Sequence, residues 1–170
     1  MSPRIKPSKP RIGISRCLLG DAVRYDGQSK ANRIILDELV QLFDFIPVCP
    51  EVEAGLGIPR PPVKLSGSIE QPRLLGRDDP SIDITELMSD YCKVKPGELD
   101  KLAGFIFKSR SPSCGLHSTP VFIDGRQVTG SSRGVFARAM CTRYPELAVI
   151  EETDLENEVI LGQFIADVSS

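Results

Sequence analysis

The sequence predicts an α/β protein: a single three-layer, Rossmann-like domain with a mainly parallel sheet and a β-hairpin in its C-terminal half. Short apolar segments of strand length alternate with longer segments in which apolar residues recur at helical spacing. Such alternation is typical of βαβ units, which build parallel sheets. In addition, Asp124-Gly125 separates two segments of strand character, and this dipeptide favours a tight hairpin.

The first βαβ unit is predicted near the N-terminus. Residues 1–10 are rich in Pro and Lys, which is typical of a mobile tail, and Arg11–Ser15 follows as a short strand. Asn32 can cap a helix over Asn32–Phe43, and Phe45–Val48 has the composition of a second buried strand. Because strand, helix and strand follow closely, we expect parallel strands joined by a right-handed crossover.

The rest of the chain is expected to complete the same domain. The segment Pro50–Pro80 is irregular and rich in Pro and Gly, so it is predicted to be a long loop, of a kind that is usually functional or mobile. The elements predicted after it are a helix over Ile82–Val94, a strand over Leu102–Phe107, hairpin strands over Pro120–Ile123 and Arg126–Thr129, a helix over Gly134–Tyr144, a strand over Leu147–Ile150 and a helix over Leu155–Val168. No repeat or linker interrupts the chain, so residues 11–170 are predicted to form one domain.

Composition excludes several classes of partner. The 170 residues are 41% hydrophobic and 26% charged, as in ordinary globular proteins, and the formal net charge of −2 argues against nonspecific binding to DNA. No apolar run approaches the roughly 20 residues that span a bilayer, and the first ten residues lack the apolar core of a secretory signal. We therefore expect a cytoplasmic location, where cysteines bind metals, catalyse or pack before they form disulfides.

Three of the five cysteines lie where an apolar strand gives way to a turn. Cys17 and Cys49 directly follow the first and second predicted strands, and Cys114 comes shortly after the third. The carboxyl ends of neighbouring parallel strands converge on one crevice, the usual ligand site of such sheets. The other two cysteines, Cys92 and Cys141, lie on apolar faces of predicted helices and are expected to pack in the core.

The cysteine pattern alone leaves the kind of site open. Core packing at the strand ends competes with a shared metal site, and no CxxC pair provides a strong zinc or ferredoxin signature. Three thiolates could hold a catalytic zinc in a hydrolase, or three irons of a cubane cluster in an enzyme, a sensor or an electron carrier. His117 could serve as a fourth ligand, but a histidine beside a turn is more often exposed to solvent.

Several sequence strings together resemble the thiouracil desulfidase family of iron–sulfur proteins, over nearly the whole chain from Arg11 into the final helix. The strings are, in order, Cys17-Leu-Leu-Gly20 with Val23-Arg-Tyr-Asp-Gly27, Cys49-Pro-Glu51 through Gly55-Leu-Gly-Ile-Pro-Arg60, and Lys108-Ser-Arg-Ser-Pro-Ser-Cys-Gly115. The resemblance implies a [4Fe-4S] cluster with one iron not ligated by protein, and removal of sulfur from thiolated uracils without a redox step.

By the same resemblance, the motif residues acquire expected roles. Cys17, Cys49 and Cys114 match the cluster ligands, Glu51 matches the catalytic glutamate, and Ser111 matches the catalytic serine. The implied reaction is hydrolytic: the open iron binds the substrate sulfur, and the products are the oxo base and hydrosulfide. Without the resemblance, Glu51 could be an exposed loop carboxylate and Ser111 a turn-forming hydroxyl.

Basic residues near the motifs bear on the form of the substrate. They are Arg16, Arg24, Lys30, Arg33, Arg60, Lys64, Lys108, Arg110 and Arg133. Those that gather at the mouth of the site would favour substrates with phosphate, either a nucleotide or thiolated tRNA. Because no aromatic residues are interleaved with them as in single-strand binding proteins, a small thiolated pyrimidine base or nucleotide is preferred over tRNA.

Overall fold

The computed structural model of the protein describes residues 8–170, and residues 1–7 of the predicted tail lie outside the described residues. Eight strands are described: β1 Arg11–Ser15, β2 Asp44–Val48, β3 Val63–Ser66, β4 Arg73–Gly76, β5 Gly104–Phe107, β6 Thr119–Ile123, β7 Arg126–Ser132 and β8 Ala148–Glu151. The α-helices are α1 Arg33–Asp37, α2 Pro50–Glu53, α3 Thr85–Val94, α4 Val135–Arg143 and α5 Glu158–Ser169. Short 3-10 turns cover Arg16–Leu19, Leu39–Gln41, Lys95–Leu99 and Glu152–Glu156.

The predicted parallel sheet is present as a four-stranded sheet, here called sheet A, in the order β2-β1-β5-β8. All three neighbouring pairs are parallel, with Ile12 opposite both Phe45 and Gly104, and Phe107 opposite Glu151. The carboxyl ends of all four strands therefore lie at one edge. This arrangement confirms the α/β fold class and brings the three strand-end loops with cysteines to the same side.

Sheet A is covered on both faces, so the domain has three layers. Residues alternate between its faces: Ile12 and Ile14 of β1 belong to one apolar cluster, and Phe105 and Phe107 of β5 belong to the other. The first cluster is completed by α1 and α5, through Ile35, Phe164 and Val168, and the second by α4, through Phe136, Ala137 and Met140. Each large side chain buried in this way contributes roughly 1.5–3 kcal/mol of transfer free energy.

A second sheet, here called sheet B, was predicted only in part, since its hairpin was expected and its other two strands were not. Its order is β4-β3-β6-β7, and it contains the predicted hairpin together with two strands from the segment Pro50–Pro80. The prediction of an irregular loop over that segment is therefore wrong in part. Strands β3 and β4 pair with each other antiparallel, and β3 pairs with β6 in parallel. Burial drives the pairing, because Leu65, Leu74 and Val121 pack with Ile84 and Met88 of the α3 region in an apolar cluster.

Local signals account for the remaining boundaries. The side chain of Asn32 accepts a hydrogen bond from the backbone N–H of Ile35, as predicted for a helix cap, but the helix ends at Asp37 and a 3-10 turn follows. The last helix begins after Asn157, three residues later than predicted, because the side chain of Asn157 caps it. The β6–β7 turn is confirmed, and both of its central residues, Asp124 and Gly125, have positive φ angles of 50° and 76°. In the described part of the chain, no helix combines the length and the apolar character that a membrane crossing requires.

Candidate functional site

A cleft of about 500 Å³ opens between the carboxyl edge of sheet A and strands β3 and β6 of sheet B. The five residues that the sequence singles out for chemistry all line it: Cys17, Cys49, Cys114, Glu51 and Ser111. They arrive from three separate stretches of chain, after β1, after β2 and after β5. The fold thus brings together every motif residue to which the resemblance assigns a chemical role.

Backbone turns place the first two cysteines at the strand ends. Cys17 lies in the 3-10 turn after β1, and Gly20 closes that turn with a φ of 99°, donating its N–H to the carbonyl of Cys17. Cys49 lies immediately before α2, and its N–H donates to the carboxylate of Glu53 at 2.8 Å. Both thiols are half-buried, at the boundary between the apolar layers and the cleft.

Cys114 lies in the loop that connects β5 of sheet A to β6 of sheet B. Its N–H donates to Oγ of Ser111 at 3.0 Å, and its side chain is only 5% exposed. Gly115 follows in a tight turn, where a Cβ atom would collide with the side chain of Thr119 and with the carbonyl of Ser111. Cys114 therefore has less freedom to move than the other two thiols.

The three thiols are near enough to influence one another electrostatically. Burial raises the pKa of Cys17 to about 11, with Lys108 acting in the opposite direction and Cys49 adding to the rise. Burial also raises the pKa of Cys114 well above its usual range, a shift that Ser15 opposes and to which Cys17 and Cys49 add. Burial raises the pKa of Cys49 as well. Protonated thiols are therefore the stable form until a cationic group binds and favours the thiolates.

The donor set fits an iron–sulfur cluster. Thiolate is the soft ligand that iron–sulfur clusters take, and here three thiols from separate loops line one cleft. Within residues 8–170, no three His, Cys, Asp or Glu side chains are arranged to hold one metal ion. A cubane cluster gives each cysteine its own iron, so its ligands do not need to converge on a single point.

Glu51 is held by two side chains in the wall of the cleft. Its Oε1 lies 3.1 Å from Nε of Arg60, and its Oε2 accepts a hydrogen bond from Oγ of Ser113 at 3.2 Å. Arg60 is itself fixed, since its guanidinium donates to the carbonyl of Gly57 and its N–H donates to the carbonyl of Tyr25. The carboxylate is therefore oriented by its two partners and largely shielded from bulk water.

Ser111 is bound in a way that leaves its proton available. Its Oγ accepts hydrogen bonds from the N–H groups of Ser113 and Cys114, at 3.2 and 3.0 Å. A hydroxyl has one hydrogen to donate besides its acceptor capacity, and here the acceptor capacity is used by the backbone. Ser111 can therefore donate its hydrogen into the cleft. The serine that contacts Glu51 is Ser113, two residues after Ser111.

The lining of the cleft is strongly basic. Glu51 is its single acidic residue, against eight basic ones: Arg16, Arg24, Lys30, Arg60, Lys64, Arg77, Lys108 and Arg110. Seven of these belong to the set expected near the mouth, and Arg77 was missed because it follows the unpredicted strand β4. Two members of the expected set lie elsewhere, since Arg33 is exposed on α1 and Arg133 donates to the carbonyl of Leu116. Such an imbalance of charge favours an anionic ligand.

Two aromatic side chains in the cleft wall were also missed. Tyr25 has the guanidinium of Arg24 and that of Arg77 each 5.6 Å from its ring centroid, and Phe122 has the ammonium of Lys64 at 4.7 Å. Tyr25 belongs to the motif Val23-Arg-Tyr-Asp-Gly27, and this membership could have indicated that it lies at the site. Phe122 had no sequence signal, because its place in the wall depends on the pairing of β3 with β6.

The remaining candidate ligands lie outside the cleft. His117 is half-exposed, with Nε2 2.8 Å from the carboxylate of Asp154, and it does not line the cleft. Cys92 and Cys141 pack against the apolar cluster that α4 forms on sheet A. Burial raises the pKa of Cys92 to about 11 and also raises that of Cys141. These three residues are therefore placed for packing and surface contacts.

Comparison with known proteins identifies the family. The family described as 2-thiouracil desulfurase matches residues 12–152. The uncharacterized protein YbbK of Bacillus subtilis (strain 168) is 29% identical over 156 residues, a match that covers 86% of this chain and 98% of that protein. Among solved structures, the [4Fe-4S]-dependent thiouracil desulfidase TudS is similar with a TM-score of 0.65 and 28% identity, over 91% of this chain and 99% of that one. On the extent of these matches and the motif residues gathered in the cleft, the chain belongs to the 2-thiouracil desulfurase family.

Proposed function

We propose that this protein is a [4Fe-4S]-dependent desulfidase that converts thiolated uracil compounds to the oxo base and hydrosulfide. The observation that carries the proposal is the assembly of Cys17, Cys49, Cys114, Glu51 and Ser111 in one basic cleft. The reaction replaces the C=S sulfur with an oxygen from water. It balances as thiocarbonyl plus water giving carbonyl plus hydrogen sulfide, with no electron gained or lost.

In this proposal the three cysteines hold the cluster and residues 11–170 form its single binding domain. When bound, the cluster would supply Lewis-acid chemistry, since three protein ligands would leave one iron open to polarise the thiocarbonyl and make its sulfur a better leaving group. Cys17, Cys49 and Cys114 bind as thiolates, so cluster assembly releases protons from thiols whose pKa values are raised. Lys108 also lines the cleft, and its charge opposes the rise in the pKa of Cys17.

Glu51 is proposed to be the general base. It takes a proton from a water molecule as the oxygen attacks the thiocarbonyl carbon. The ion pair with Arg60 and the hydrogen bond from Ser113 keep the carboxylate in one orientation toward the cleft. Ordering a base in this way lowers the entropic part of the activation free energy, because the side chain already has its reactive orientation before the step begins.

Ser111 is proposed to move the second proton. Its oxygen is anchored by two backbone N–H groups, which directs its own hydrogen toward the cleft. That hydrogen can be passed to a ring nitrogen or to the departing sulfur while the tetrahedral carbon collapses, and the remaining proton of the attacking water replaces it, so Ser111 ends the step neutral. The expected phenotype of Ser111→Ala is therefore slow turnover with an intact cluster.

The basic lining supports a substrate with phosphate. Within the described residues, four lining cations have no salt bridge with a carboxylate: Arg24, Lys30, Lys64 and Arg110. Their charge would attract the phosphate of a nucleotide more than it would a neutral base. We therefore propose that thiouridine nucleotides are preferred over free thiouracil, with thiolated tRNA the larger alternative, and that the reaction takes place in the cytoplasm.

The deciding experiment is an anaerobic assay of the reconstituted protein. It compares 2-thio- and 4-thiouracil, their nucleosides and nucleotides, and thiolated tRNA, with sulfide release and loss of thiocarbonyl absorbance measured together. We expect equal amounts of sulfide and oxo product and no need for a reductant. A protein that holds its cluster but turns over none of these substrates would favour the iron–sulfur sensor or electron carrier instead.

A further inference from the structure

The loop that carries Ser111 and Cys114 is held at both ends by two consecutive carboxylates. Glu151 ends β8, and Glu152 follows it in the next turn. Strand β8 lies beside β5 in sheet A, with Glu151 opposite Phe107, so both carboxylates stand beside the loop as it leaves β5. Neither residue lines the cleft, and neither is used by the proposed reaction.

Glu151 binds the end of the loop nearest to Cys114. It is fully buried, and its Oε1 accepts hydrogen bonds from the N–H of Leu116 at 2.7 Å and from the N–H of His117 at 2.8 Å. The hydroxyl of Ser118 lies within hydrogen-bond distance of both carboxylate oxygens, at 2.8 and 2.9 Å. One carboxylate thus fixes three successive residues, the first of them two positions after Cys114.

Glu152 binds the beginning of the same loop. Its Oε2 accepts a hydrogen bond from the N–H of Ser109 at 2.7 Å, and its Oε1 accepts one from the hydroxyl of Ser109 at 2.6 Å. Nζ of Lys108 lies 3.2 Å from the same Oε1. The two carboxylates together therefore bracket residues 109–118.

Burial of these charges requires an explanation beyond packing. A carboxylate removed from water is costly unless several donors compensate it, and an apolar residue would end a buried strand at lower cost. Backbone N–H donors bound by a carboxylate fix the path of the main chain, because charged hydrogen bonds are shorter and stronger than neutral ones. The contacts of Glu151 therefore point to a role in the geometry of the loop.

We propose that Glu151 is a positioning residue that holds the Cys114 turn in the conformation that binds the cluster. The inference rests on the proposed function in one respect, namely that Cys114 is a cluster ligand. Loss of the carboxylate frees the N–H groups of Leu116 and His117, the turn opens, and the thiol of Cys114 becomes accessible. Cluster binding then falls because one of three ligands is no longer held in place.

Glu151→Gln tests the inference with two measurements. The first is the rate at which iodoacetamide alkylates Cys114 in the cluster-free protein, with the modified peptide identified by mass spectrometry. We expect an increase of roughly tenfold or more, the change in local opening that follows the loss of a charged hydrogen bond. The second is the iron and sulfide content after anaerobic reconstitution, which we expect to fall well below that of the wild type.

Two controls separate positioning from general instability. Glu156→Gln removes an exposed carboxylate from the neighbouring 3-10 turn, and Phe164→Leu weakens the opposite face of sheet A; both should alkylate and load as the wild type does. If Glu151→Gln does not fold, Ser118→Ala keeps the charge of Glu151 and removes one of its donors, together with the acceptor of the Arg110 N–H, and it should give a smaller increase in alkylation. The inference is wrong if Cys114 is alkylated at the wild-type rate in Glu151→Gln, or in Ser118→Ala where Glu151→Gln does not fold. A wild-type protein that takes up no iron instead contradicts the proposed function, and the alkylation rates still decide the role of Glu151.

Discussion

Arg60 and Glu51 form a buried ion pair in the wall of the cleft, with 3.1 Å between Nε of Arg60 and Oε1 of Glu51. Their side chains are only 6% and 14% exposed. A pair shielded to this degree is weakly screened by salt, and each partner depends on the other for compensation. The proposed base is therefore part of a structural contact as well as of the chemistry.

Glu51→Gln is expected to keep the cluster and lose turnover. The amide has nearly the same shape but cannot accept a proton from water, so turnover should fall by roughly 10²–10⁴. Iron content and sulfide release are measured on the same sample, with the exposed Glu70→Gln as the control. Full activity in Glu51→Gln would remove this residue from the proposed mechanism.

Arg60→Gln is expected to destabilise the fold. Removal of one partner leaves the buried carboxylate of Glu51 uncompensated, which costs about 3 kcal/mol of unfolding free energy. Urea unfolding of the cluster-free protein measures this loss. Arg33→Gln is the matched control, because the side chain of Arg33 is 94% exposed and its change should stay within about 0.5 kcal/mol. Equal midpoints for the two variants would refute the compensation argument.

The five cysteines are expected to divide into two groups. Serine at Cys17, Cys49 or Cys114 should each lower the iron content, because an alcohol is a poor ligand for the soft metal. Serine at Cys92 or Cys141 should leave the iron content unchanged and lower only the unfolding temperature, since these thiols pack against an apolar cluster. Iron and sulfide analysis with thermal unfolding of all five variants tests the division.

His117 is expected to give the fold a pH dependence. Burial alone would lower the pKa of His117, but the hydrogen bond to Asp154 and the charge of Glu151 raise it above its ordinary value. The folded state therefore binds the proton more tightly than the unfolded state does. The resulting stability is fully present below about pH 6.5, the unfolded value, and is lost as the pH rises through the folded value.

The measurement compares unfolding free energies of the wild type and His117→Ala across that range. The difference between the two proteins should shrink as the pH rises from below about 6.5 to well above it. A difference that stays constant with pH would contradict the assignment of the shift to Asp154 and Glu151. The exposed Asp124→Asn variant, outside this contact, serves as the control for general charge effects.

Two glycine variants should separate loop geometry from overall stability. Gly125→Ala meets no neighbouring atom but requires a positive φ of 76°, so it should cost about 1 kcal/mol and leave iron content unchanged. Gly115→Ala places a methyl group against Thr119 and against the carbonyl of Ser111, so the loop with Cys114 must shift. Iron content should therefore fall in Gly115→Ala alone, and equal iron in both variants would contradict the tight packing of that loop.

The parts of the fold that depend on local pattern were predictable. The strands of sheet A, the cap at Asn32 and the turn at Asp124-Gly125 follow from apolar runs and turn residues, and all are present. Strands β3 and β4 were missed because each has only four residues between Pro- and Gly-rich segments. Strand β3 also pairs with β6, which lies more than fifty residues further along the chain, and periodicity carries no information about so distant a partner.

The candidate site, like the fold, was predictable only where it depends on local pattern. The three cysteines were predicted to meet because parallel strands end at one edge, and all three line the cleft. The contacts of Glu151 and Glu152 were missed because they join residues 33 to 43 positions apart in sequence. The contact of Ser113 with Glu51, which spans 62 positions, was missed for the same reason. Tertiary contacts of this kind depend on how the loops pack, which no single segment encodes.

The cleft touches both sheets, with Cys17 and Cys49 on the side of sheet A and Lys64 and Phe122 on the side of sheet B. A ligand bound there contacts both sheets at once and adds to the contacts between them, such as the ion pair of Arg60 with Glu51. By mass action, a ligand that binds only the folded protein raises its free energy of unfolding, and the increase grows with the affinity. Loading the protein should therefore raise its melting temperature.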